Sequence, residues 1–371
     1  MGSLIPLKTQ TNLRYHGTLG SRYFFRGQGC SVNKLKLAKA VGKDRIPNEF
    51  IKYGDDRLAK FLTVLFNRVR VEKAVPKDWN YGRISLLHKS GDKRDLNNYR
   101  GIKIMNSIGK LYSALLKERL EDLVEKVGWL GEIQSGFRKE RDAREGILVL
   151  RNVVDKSKEK KLKTCMAFVD LRKAYDKICR PMLWECLEEM GVSKDFIDNM
   201  KSLYEDVRCS VKIPCGETRD ISSRTGLKQG CVLSPILFAL YVKDLGNKLM
   251  SSGKGIEMNG VKIPGLFFAD DMVLIGKDKE ELKVLLSILG DWLSRRKLSI
   301  NCGKSKVWRQ GNGILDEVWD IRNWKGESMG QLKEVKEYKY LGVLISSEPK
   351  NIFKKHGEKK SKKARALVGA I

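Results

Sequence analysis

Apolar residues recur with helical spacing in several parts of the chain. Amphipathic helices are predicted over four segments, namely Leu58–Val69, Leu111–Leu120, Leu183–Met190 and a segment that starts at Lys279. The last of these helices is preceded by Asp278, and Glu281 follows three residues later, which is the spacing of a capping box. The helices alternate along the chain with segments of a different pattern.

Short continuous apolar runs between the helices predict β-strands. The predicted strands are Arg83–His88, Tyr99–Ile104, Met166–Val169, Leu266–Ala269, Met272–Ile275 and a strand pair within Tyr338–Ile345. The first two form a hairpin with a long basic tip, because the polar residues 89–95 follow the first strand. Only Asp270 and Asp271 separate the fourth and fifth runs, so a tight hairpin with both carboxylates at its bend is expected. Interspersed strands and helices indicate an α+β or mixed α/β class.

The charge of the chain favours one class of partner. Among 371 residues there are 73 Lys and Arg against 45 Asp and Glu, a net charge of +28. Such an excess favours a polyanionic partner, nucleic acid above all, although a generally basic surface is the alternative. Neither a secretion signal nor a run of about 20 apolar residues is present. We therefore expect an intracellular protein of the nucleus or cytoplasm that is not secreted and has no membrane partner.

Three aspartates carry the clearest chemical signal. Asp270 and Asp271 stand at the predicted hairpin bend, and Asp170 ends a strand of the same apolar type. If neighbouring strands bring the three together, their oxygens suit Mg²⁺, and two such ions can assist an in-line phosphoryl displacement. Each aspartate taken alone also fits ordinary turn or cap chemistry, and that alternative stays open at this point.

Two further segments give this pattern a family resemblance. Asp170–Asp176 places a tyrosine five residues after the first aspartate, and Gly226–Pro235 is a glycine-framed polar loop before an apolar helix. With the acidic hairpin, in this order, they resemble the palm motifs of reverse transcriptases, most closely those of non-LTR (LINE-type) retrotransposons. Other segments similar to that family are Pro76–Trp79, Asn97–Ile102, Gln134–Arg138, Leu298–Asn301 with Lys304 and Lys306, and Tyr338–Gly342. The ordered matches run from about residue 40 to residue 345.

The resemblance implies a role for each matching residue. Asp170, Asp270 and Asp271 would be catalytic and would bind two Mg²⁺ ions, with Mn²⁺ as a substitute. The implied nucleotide-binding residues are Lys89, Arg100, Tyr175, Gln229, Gly230 and Lys304. The implied primer-grip residues are Tyr340, Leu341 and Gly342.

Physical reasons accompany several of these implied roles. The ring of Tyr175 would clash with a 2′-hydroxyl and so act as a steric gate, although a core aromatic is the alternative. Gly230 permits close backbone approach, and Arg100 offers a bidentate fork to phosphate where Lys89 offers a point charge. Lys304 would assist the leaving pyrophosphate, or it is one more solvated surface lysine.

The fold implied by the resemblance is an α+β right-hand polymerase, with fingers and an antiparallel palm sheet backed by helices. The expected domains are an irregular lead-in at 1–34, fingers with the first palm helices at 35–165, a palm at 166–346 containing the acidic and primer-grip hairpins, and the start of a truncated thumb at 347–371. We expect a truncated family member, without an endonuclease domain and with most of the thumb missing. Such a chain would grip its nucleic-acid duplex poorly, because the thumb supplies basic contacts.

One turn departs from the family pattern. The family usually has Gly-Pro-Asp-Gly before Ile-Pro, whereas this chain has Lys43 and Arg45 in place of the proline and the second glycine. If that second glycine needs a positive φ, the backbone at Arg45 is strained.

The predicted function is RNA-directed DNA synthesis by a retrotransposon enzyme. Its partners would be an RNA template, a DNA primer and a dNTP, and the sequence does not assign an oligomeric state. A catalytically impaired nucleic-acid-binding remnant is the first alternative, and a group II intron-type maturase is the second. An RNA-templated RNA polymerase is disfavoured, because Tyr175 should block ribonucleotides.

Overall fold

The computed structural model describes residues 31–138, 141–213, 215–310, 317–347 and 353–368. Its helices are α1 (Asn48–Lys52), α2 (Asp56–Glu72), α3 (Lys77–Asn80), α4 (Ser107–Val127), α5 (Ala143–Glu159), α6 (Ala174–Lys177), α7 (Arg180–Glu189), α8 (Lys194–Ser202), α9 (Ser234–Ser251), α10 (Lys279–Arg296) and α11 (Lys354–Val368). Its strands are β1 (Tyr81–His88), β2 (Tyr99–Met105), β3 (Cys165–Asp170), β4 (Arg208–Ile213), β5 (Gly216–Glu217), β6 (Ile221–Ser222), β7 (Ile256–Met258), β8 (Val261–Ile263), β9 (Gly265–Phe268), β10 (Asp271–Gly276), β11 (Lys306–Arg309), β12 (Val318–Arg322), β13 (Ser328–Val335), β14 (Glu337–Tyr340) and β15 (Val343–Ser346). The α+β class is confirmed.

The chain forms two compact units, each with its own sheet. The first unit contains residues 1–123 and 179–237, and the second contains residues 124–178 and 238–371. The domain boundaries expected from the sequence stay predictions. Residues 1–30 of the expected irregular lead-in lie outside the described residues.

The sheet of the first unit is built around β1. This strand pairs with β2 in antiparallel fashion, with His88 opposite Tyr99, which confirms the predicted hairpin. On its other side β1 runs parallel to β4, and β4 also pairs with β5 and β6. Phe66, Trp79 and Tyr112 form an aromatic cluster in this unit, with ring centroids 5.3–5.8 Å apart.

The turn before α1 contains Arg45, the residue that replaces the second glycine of the family pattern. Gly42 packs so closely on Asn106 that a Cβ there would lie 2.4 Å from the Asn106 side-chain oxygen. The same oxygen accepts a hydrogen bond from the backbone N–H of Lys43 at 3.1 Å. The chain then closes with Arg45 in the left-handed region at a φ of 56°. The backbone strain expected at Arg45 is therefore confirmed.

The second unit contains a six-stranded sheet in the order β12–β13–β11–β3–β10–β9. All neighbouring strands are antiparallel except β11 and β13, which are parallel. On one face of the sheet, Leu150 and Val153 of α5 pack against Phe168 of β3 and Val273 of β10. All four side chains are fully buried. α10 packs against β10 and β12. The strands that carry Asp170 and Asp271 thus lie inside a well-packed layer.

The acidic hairpin forms as predicted, but its bend differs by one residue. Phe268 pairs with Asp271, so the two-residue loop consists of Ala269 and Asp270. Asp271 is the first residue of β10 and not part of the bend, so the prediction that both aspartates occupy the bend was wrong. The reason is that the turn begins one residue earlier than expected, at Ala269, which adopts a φ of 61°.

The predicted capping box of α10 is only half formed. The side chain of Asp278 accepts a hydrogen bond from the backbone N–H of Glu281 at 2.9 Å. The carboxylate of Glu281 turns instead to the N–H groups of Gly255, at 3.1 Å, and Lys277, at 3.3 Å. Glu281 thus forms a tertiary hydrogen bond with the Gly255 loop in place of the capping-box hydrogen bond to the backbone N–H of Asp278.

The last described elements form a hairpin and a basic helix. β14 and β15 pair with Tyr338 opposite Ile345, which confirms the predicted strand pair. α11 contacts β15, and His356 Nδ1 accepts a hydrogen bond from the N–H of Leu344 at 3.2 Å. Across the described ranges, every helix is either too short or too polar to cross a bilayer.

Replacing Arg45 by glycine is expected to stabilise the first unit by about 0.5–1 kcal/mol. Glycine adopts a positive φ without a Cβ clash, and this gain exceeds the extra freedom it gives the unfolded chain. Lys39→Gly, at a neighbouring exposed residue without a positive φ, is the control and should give no gain. Urea unfolding followed by circular dichroism measures both variants, and an unchanged or lower stability of Arg45→Gly contradicts the prediction.

Candidate active site

Three carboxylates meet at one end of the β3–β10 strand pair. Asp170 is the last residue of β3, and it lies directly opposite Asp271, the first residue of β10. Side chains that are directly opposite in an antiparallel pair stand on the same face, about 5 Å apart at Cβ. Asp270 precedes Asp271 in the loop. The predicted convergence of the three aspartates is confirmed.

The carboxylates repel one another electrostatically. Partial burial, together with the negative charges of Asp270 and Asp170, raises the pKa of Asp271 to about 6. The residue nevertheless remains exposed to solvent. Lys304 opposes the effect, and its Nζ lies 3.8 Å from the nearer carboxylate oxygen of Asp170. A cation delivered from solution would relieve the remaining repulsion.

A turn following α10 fixes the end of β3. The N–H of Asn301 donates to the carbonyl of Asp170 at 2.8 Å, and the Oγ of Ser305 accepts the N–H of Asp170 at 2.9 Å. Two residues further along the chain, the N–H of Arg172 donates to the carbonyl of Ser299 at 2.8 Å. The same turn carries Lys304, so its position beside Asp170 follows from backbone pairing.

The donor set of this site suits a hard divalent cation. Carboxylate oxygens are the ligands that Mg²⁺ prefers. In the part of the chain that is described, no group of three or more His, Cys, Asp or Glu side chains is placed to hold a metal ion by itself. Mg²⁺ does not require such a group, because it binds through one or two carboxylates and takes its other ligands from water and phosphate. The three aspartates therefore fit a cation that is shared with a phosphate ligand.

Tyr175 lies beside the acidic bend in the second unit. Its ring stacks on Phe238, with centroids 4.9 Å apart and an interplanar angle of 15°. Burial and the negative charge of Asp270 raise the pKa of its hydroxyl, which therefore stays protonated. The stack fixes a half-buried ring next to the carboxylates, and this geometry is compatible with a gating residue.

The β14–β15 hairpin reaches the same carboxylates. Tyr338 stacks on Phe168, with centroids 4.3 Å apart, and the ring of buried Tyr340 lies 5.5 Å from Phe168. Burial and the charges of Asp271 and Asp170 raise the pKa of Tyr338 to about 12. Leu341 and Gly342 form the two-residue loop, with φ values of 45° and 83°.

Sequence reasoning did not single out Tyr338 as a site residue. The signal was present, because residues two apart on a strand share a face and Tyr340 had been selected. What the sequence lacks is any sign that this face lies against Phe168.

The predicted nucleotide loop lies in the first unit. Gly230 has a φ of 93°, and a Cβ there would lie 2.6 Å from the carbonyl oxygen of Lys103 on β2. Gln229 is the half-buried residue before it. Only glycine fits this close approach of the loop to the strand.

Two buried cations that the sequence did not reveal hold this loop. The Nε of Arg180 donates to the carbonyl of Gly226 at 2.8 Å, and its Nη2 donates to that of Thr225 at 3.1 Å. The Nζ of Lys228 donates to the side-chain oxygen of Asn80 at 2.9 Å. Burial lowers the pKa of Lys228 to about 7, with a smaller contribution from neighbouring positive charges.

Lys89 and Arg100 flank the tip of the β1–β2 hairpin. Arg100 lies opposite Leu87, and the N–H of Lys89 extends the ladder by donating to the carbonyl of Asn98 at 2.8 Å. Both side chains are exposed. Lys89, Arg100, Gln229 and Gly230 belong to the first unit, whereas the other predicted site residues belong to the second.

Comparison with known proteins gives a family and several relatives. The family model described as reverse transcriptase (RNA-dependent DNA polymerase) matches residues 88–345. The RNA-directed DNA polymerase from mobile element jockey of Drosophila funebris is 26% identical over 321 residues, covering 85% of this chain and 34% of that protein. The Pol polyprotein from a type-1 retrotransposable element R2 of Popillia japonica is 29% identical over 233 residues, covering 62% and 32%. The chain thus spans about a third of the length of these relatives.

Solved structures with a similar fold include a telomerase. Apo telomerase from Candida tropicalis, truncated from the C-terminal domain, aligns with a TM-score of 0.50 at 14% sequence identity. The alignment covers 81% of this chain and 63% of the telomerase chain. At this level of identity the similarity concerns the fold alone, and it confirms the expected reverse transcriptase-like fold.

Asp271→Asn is expected to raise the free energy of unfolding near pH 7.5 in metal-free buffer. The folded-state pKa of about 6 lies above the unfolded value of roughly 3.9, so the charged form is disfavoured in the folded state. The gain should be small at about pH 4, where the folded-state carboxyl is still protonated, should grow between about pH 4 and pH 6, and should level off above the folded-state pKa of about 6.

Urea unfolding at several pH values measures this effect. Glu257→Gln, which removes an exposed carboxylate on β7 outside the acidic cluster, is the control for the loss of one negative charge. A gain for Asp271→Asn of equal size at about pH 4 and pH 7.5 would contradict the prediction.

Proposed function

We propose that this chain, which belongs to the reverse transcriptase (RNA-dependent DNA polymerase) family, synthesises DNA on an RNA template for a non-LTR retrotransposon. The observation that carries the proposal is the register that sets Asp170 opposite Asp271, with Asp270 beside them. This acidic cluster falls within the residues that match the family. In the proposed reaction, the primer 3′-hydroxyl attacks the α-phosphorus of a dNTP and the bond to pyrophosphate breaks.

Asp170, Asp270 and Asp271 are proposed as the catalytic carboxylates and as the ligands of two Mg²⁺ ions, for which Mn²⁺ can substitute. When bound, the ions stabilise the charge on the attacking and leaving oxygens. Asp271 lies at the start of β10, directly after Asp270, and Asp170 lies at the end of the facing strand β3. The proposed ligands of the ions therefore come from both strands. Lys304 lies on the solvent side of Asp170, where it can balance the negative charge of departing pyrophosphate.

The remaining site residues are proposed to bind and select the nucleotide. Lys89 and Arg100 offer exposed positive charges to the triphosphate, Arg100 through a bidentate fork. Gln229 and Gly230 would line the nucleotide pocket on a loop held by buried cations. Tyr175 would exclude a 2′-hydroxyl, because its ring is fixed by the stack on Phe238.

Nucleic acid is the proposed macromolecular partner. The net charge of +28 supports contacts with the phosphate backbones of an RNA template and a DNA primer. Tyr340, Leu341 and Gly342 are proposed to contact the primer end, since their hairpin reaches the acidic cluster through Tyr338. The site of action would be inside the cell, in the nucleus or cytoplasm, where such a template is found.

Primer extension on an RNA template tests the proposed activity. Wild-type protein with Mg²⁺ should incorporate dNTPs, and Asp270→Asn should lower the rate by about 100-fold or more, because a charge-stabilising group at the reacting centre is lost. Glu257→Gln makes the same charge change on β7 and should retain the wild-type rate. No incorporation by wild-type protein that still binds template–primer in a salt-sensitive manner would overturn the proposal in favour of a nucleic-acid-binding remnant.

Tyr175→Ala is expected to reduce the preference for dNTPs over rNTPs by about 10-fold or more. Truncation removes the ring that would contact the 2′-hydroxyl. Tyr175→Phe keeps the ring and its stack on Phe238, so it should keep the preference. The ratio of kcat/KM for the two nucleotides on one template measures the effect, and equal ratios in all three proteins would refute a gating role.

A further inference from the structure

The bend of the acidic hairpin is held in an unfavourable backbone conformation. Ala269 is buried and adopts a φ of 61°, in the left-handed region that residues with a Cβ rarely occupy. Asp270 and Asp271 follow immediately. Their positions therefore depend on whatever keeps Ala269 in this conformation.

A segment before α5 pairs with the edge of the hairpin. The N–H of Phe267 donates to the carbonyl of Ile133 at 2.7 Å, and the N–H of Ser135 donates to the carbonyl of Phe267 at 3.0 Å. Gln134 lies between them and forms a parallel bridge with Phe267. The segment covers the edge of β9 just before the bend.

The side chain of Gln134 reaches from this segment to the bend itself. Its Oε1 accepts hydrogen bonds from the N–H of Gly136 at 3.0 Å and from the N–H of Ala269 at 3.4 Å. Gln134 is only 2% exposed, so water does not replace these contacts. Because both partners are N–H donors, the amide cannot be reversed without losing both bonds. Gln134 is thus a buried acceptor for the strained residue of the bend.

Gly136 supports the bend by close contact. A Cβ at this position would lie 2.3 Å from the backbone nitrogen of Ala269 and 2.9 Å from the carbonyl carbon of Phe268. Any side chain there would push the backbone of the bend away. The glycine and the glutamine therefore act on the same peptide, one by allowing close approach and the other by hydrogen bonding.

We propose that Gln134 and Gly136 are positioning residues that hold the Ala269–Asp270 bend, and with it the start of β10 at Asp271, so that the three aspartates converge on a divalent cation. The proposal rests on the proposed function for the identity of the cation site. Both residues act on the backbone of the bend, Gln134 by accepting the N–H of Ala269 and Gly136 by allowing close approach. Loss of either should weaken cation binding through displacement of Asp270 and Asp271.

Binding of Mn²⁺ to the full chain, measured by electron paramagnetic resonance without nucleotide, tests the proposal. Gln134→Met keeps the length of the side chain but removes the acceptor, and it should weaken Mn²⁺ binding by about 10- to 100-fold, as loss of a supporting partner does at other metal sites. Gly136→Ala should weaken it in the same direction. In primer extension, kcat of both variants should fall while KM for dNTP changes little.

Ser135→Ala is the matched control. It alters the same segment, but among the described residues its hydroxyl donates to the carbonyl of Phe267, at 3.3 Å, and not to the bend. Its Mn²⁺ affinity should stay within about twofold of wild type. Melting temperatures of all variants identify any that unfold, and Gln134→Glu, which keeps an acceptor oxygen, should bind Mn²⁺ more tightly than Gln134→Met.

The outcomes separate this proposal from the proposed function. Folded Gln134→Met and Gly136→Ala proteins with wild-type Mn²⁺ affinity would overturn the positioning role, even if wild-type protein polymerises DNA. Weakened Mn²⁺ binding in both variants would support the positioning role, even if wild-type protein shows no polymerase activity.

Discussion

The pairing of β3 with β10 sets one carboxylate directly opposite another, and the second unit is organised around this repulsive contact. Like charges in facing positions destabilise a strand pair, and the raised pKa of Asp271 reflects that cost. The pair persists because the next four residues of each strand, Met166–Val169 and Met272–Ile275, are fully buried and apolar. Apolar burial along the strands thus compensates for the repulsion between the carboxylates at their end, and the concentrated negative charge there can attract a cation.

Register is the property that this arrangement needs most. A shift by one residue would move Asp271 to the opposite face of the sheet, away from Asp170. Contacts from outside the two strands prevent such a shift. The turn that contains Asn301 and Ser305 holds the end of β3, and the segment around Gln134 holds the bend before β10. Both supports bind the backbone, so they fix the register whichever side chains the strands carry.

The sequence predicted the elements of this site better than their supports. The apolar runs around Asp270 and the strand before Asp170 were evident from local pattern, and so were both hairpins. The prediction that placed Asp271 in the bend was wrong by one residue. Alanine rarely adopts a left-handed conformation, so the sequence does not indicate that the turn begins at Ala269. The role of Gln134 depends on a residue 135 positions away. Such a contact cannot be derived from periodicity, since it exists only once the sheet has formed.

In the first unit, two positively charged side chains are buried and bind neutral oxygens, whereas three negatively charged side chains of the second unit face one another. Arg180 and Lys228 are buried, and within the described ranges their hydrogen bonds go to carbonyl and amide oxygens. Burial without a carboxylate lowers the pKa of Lys228 to about 7, so these contacts are obtained at a cost in desolvation. These hydrogen bonds are directional, so each buried cation fixes the position of the oxygens that it binds. The loop contains two glycines, Gly226 and Gly230, which have no side chain to pack. Hydrogen bonds to buried cations can therefore supply the rigidity that glycine removes, which an apolar side chain at position 228 would not provide.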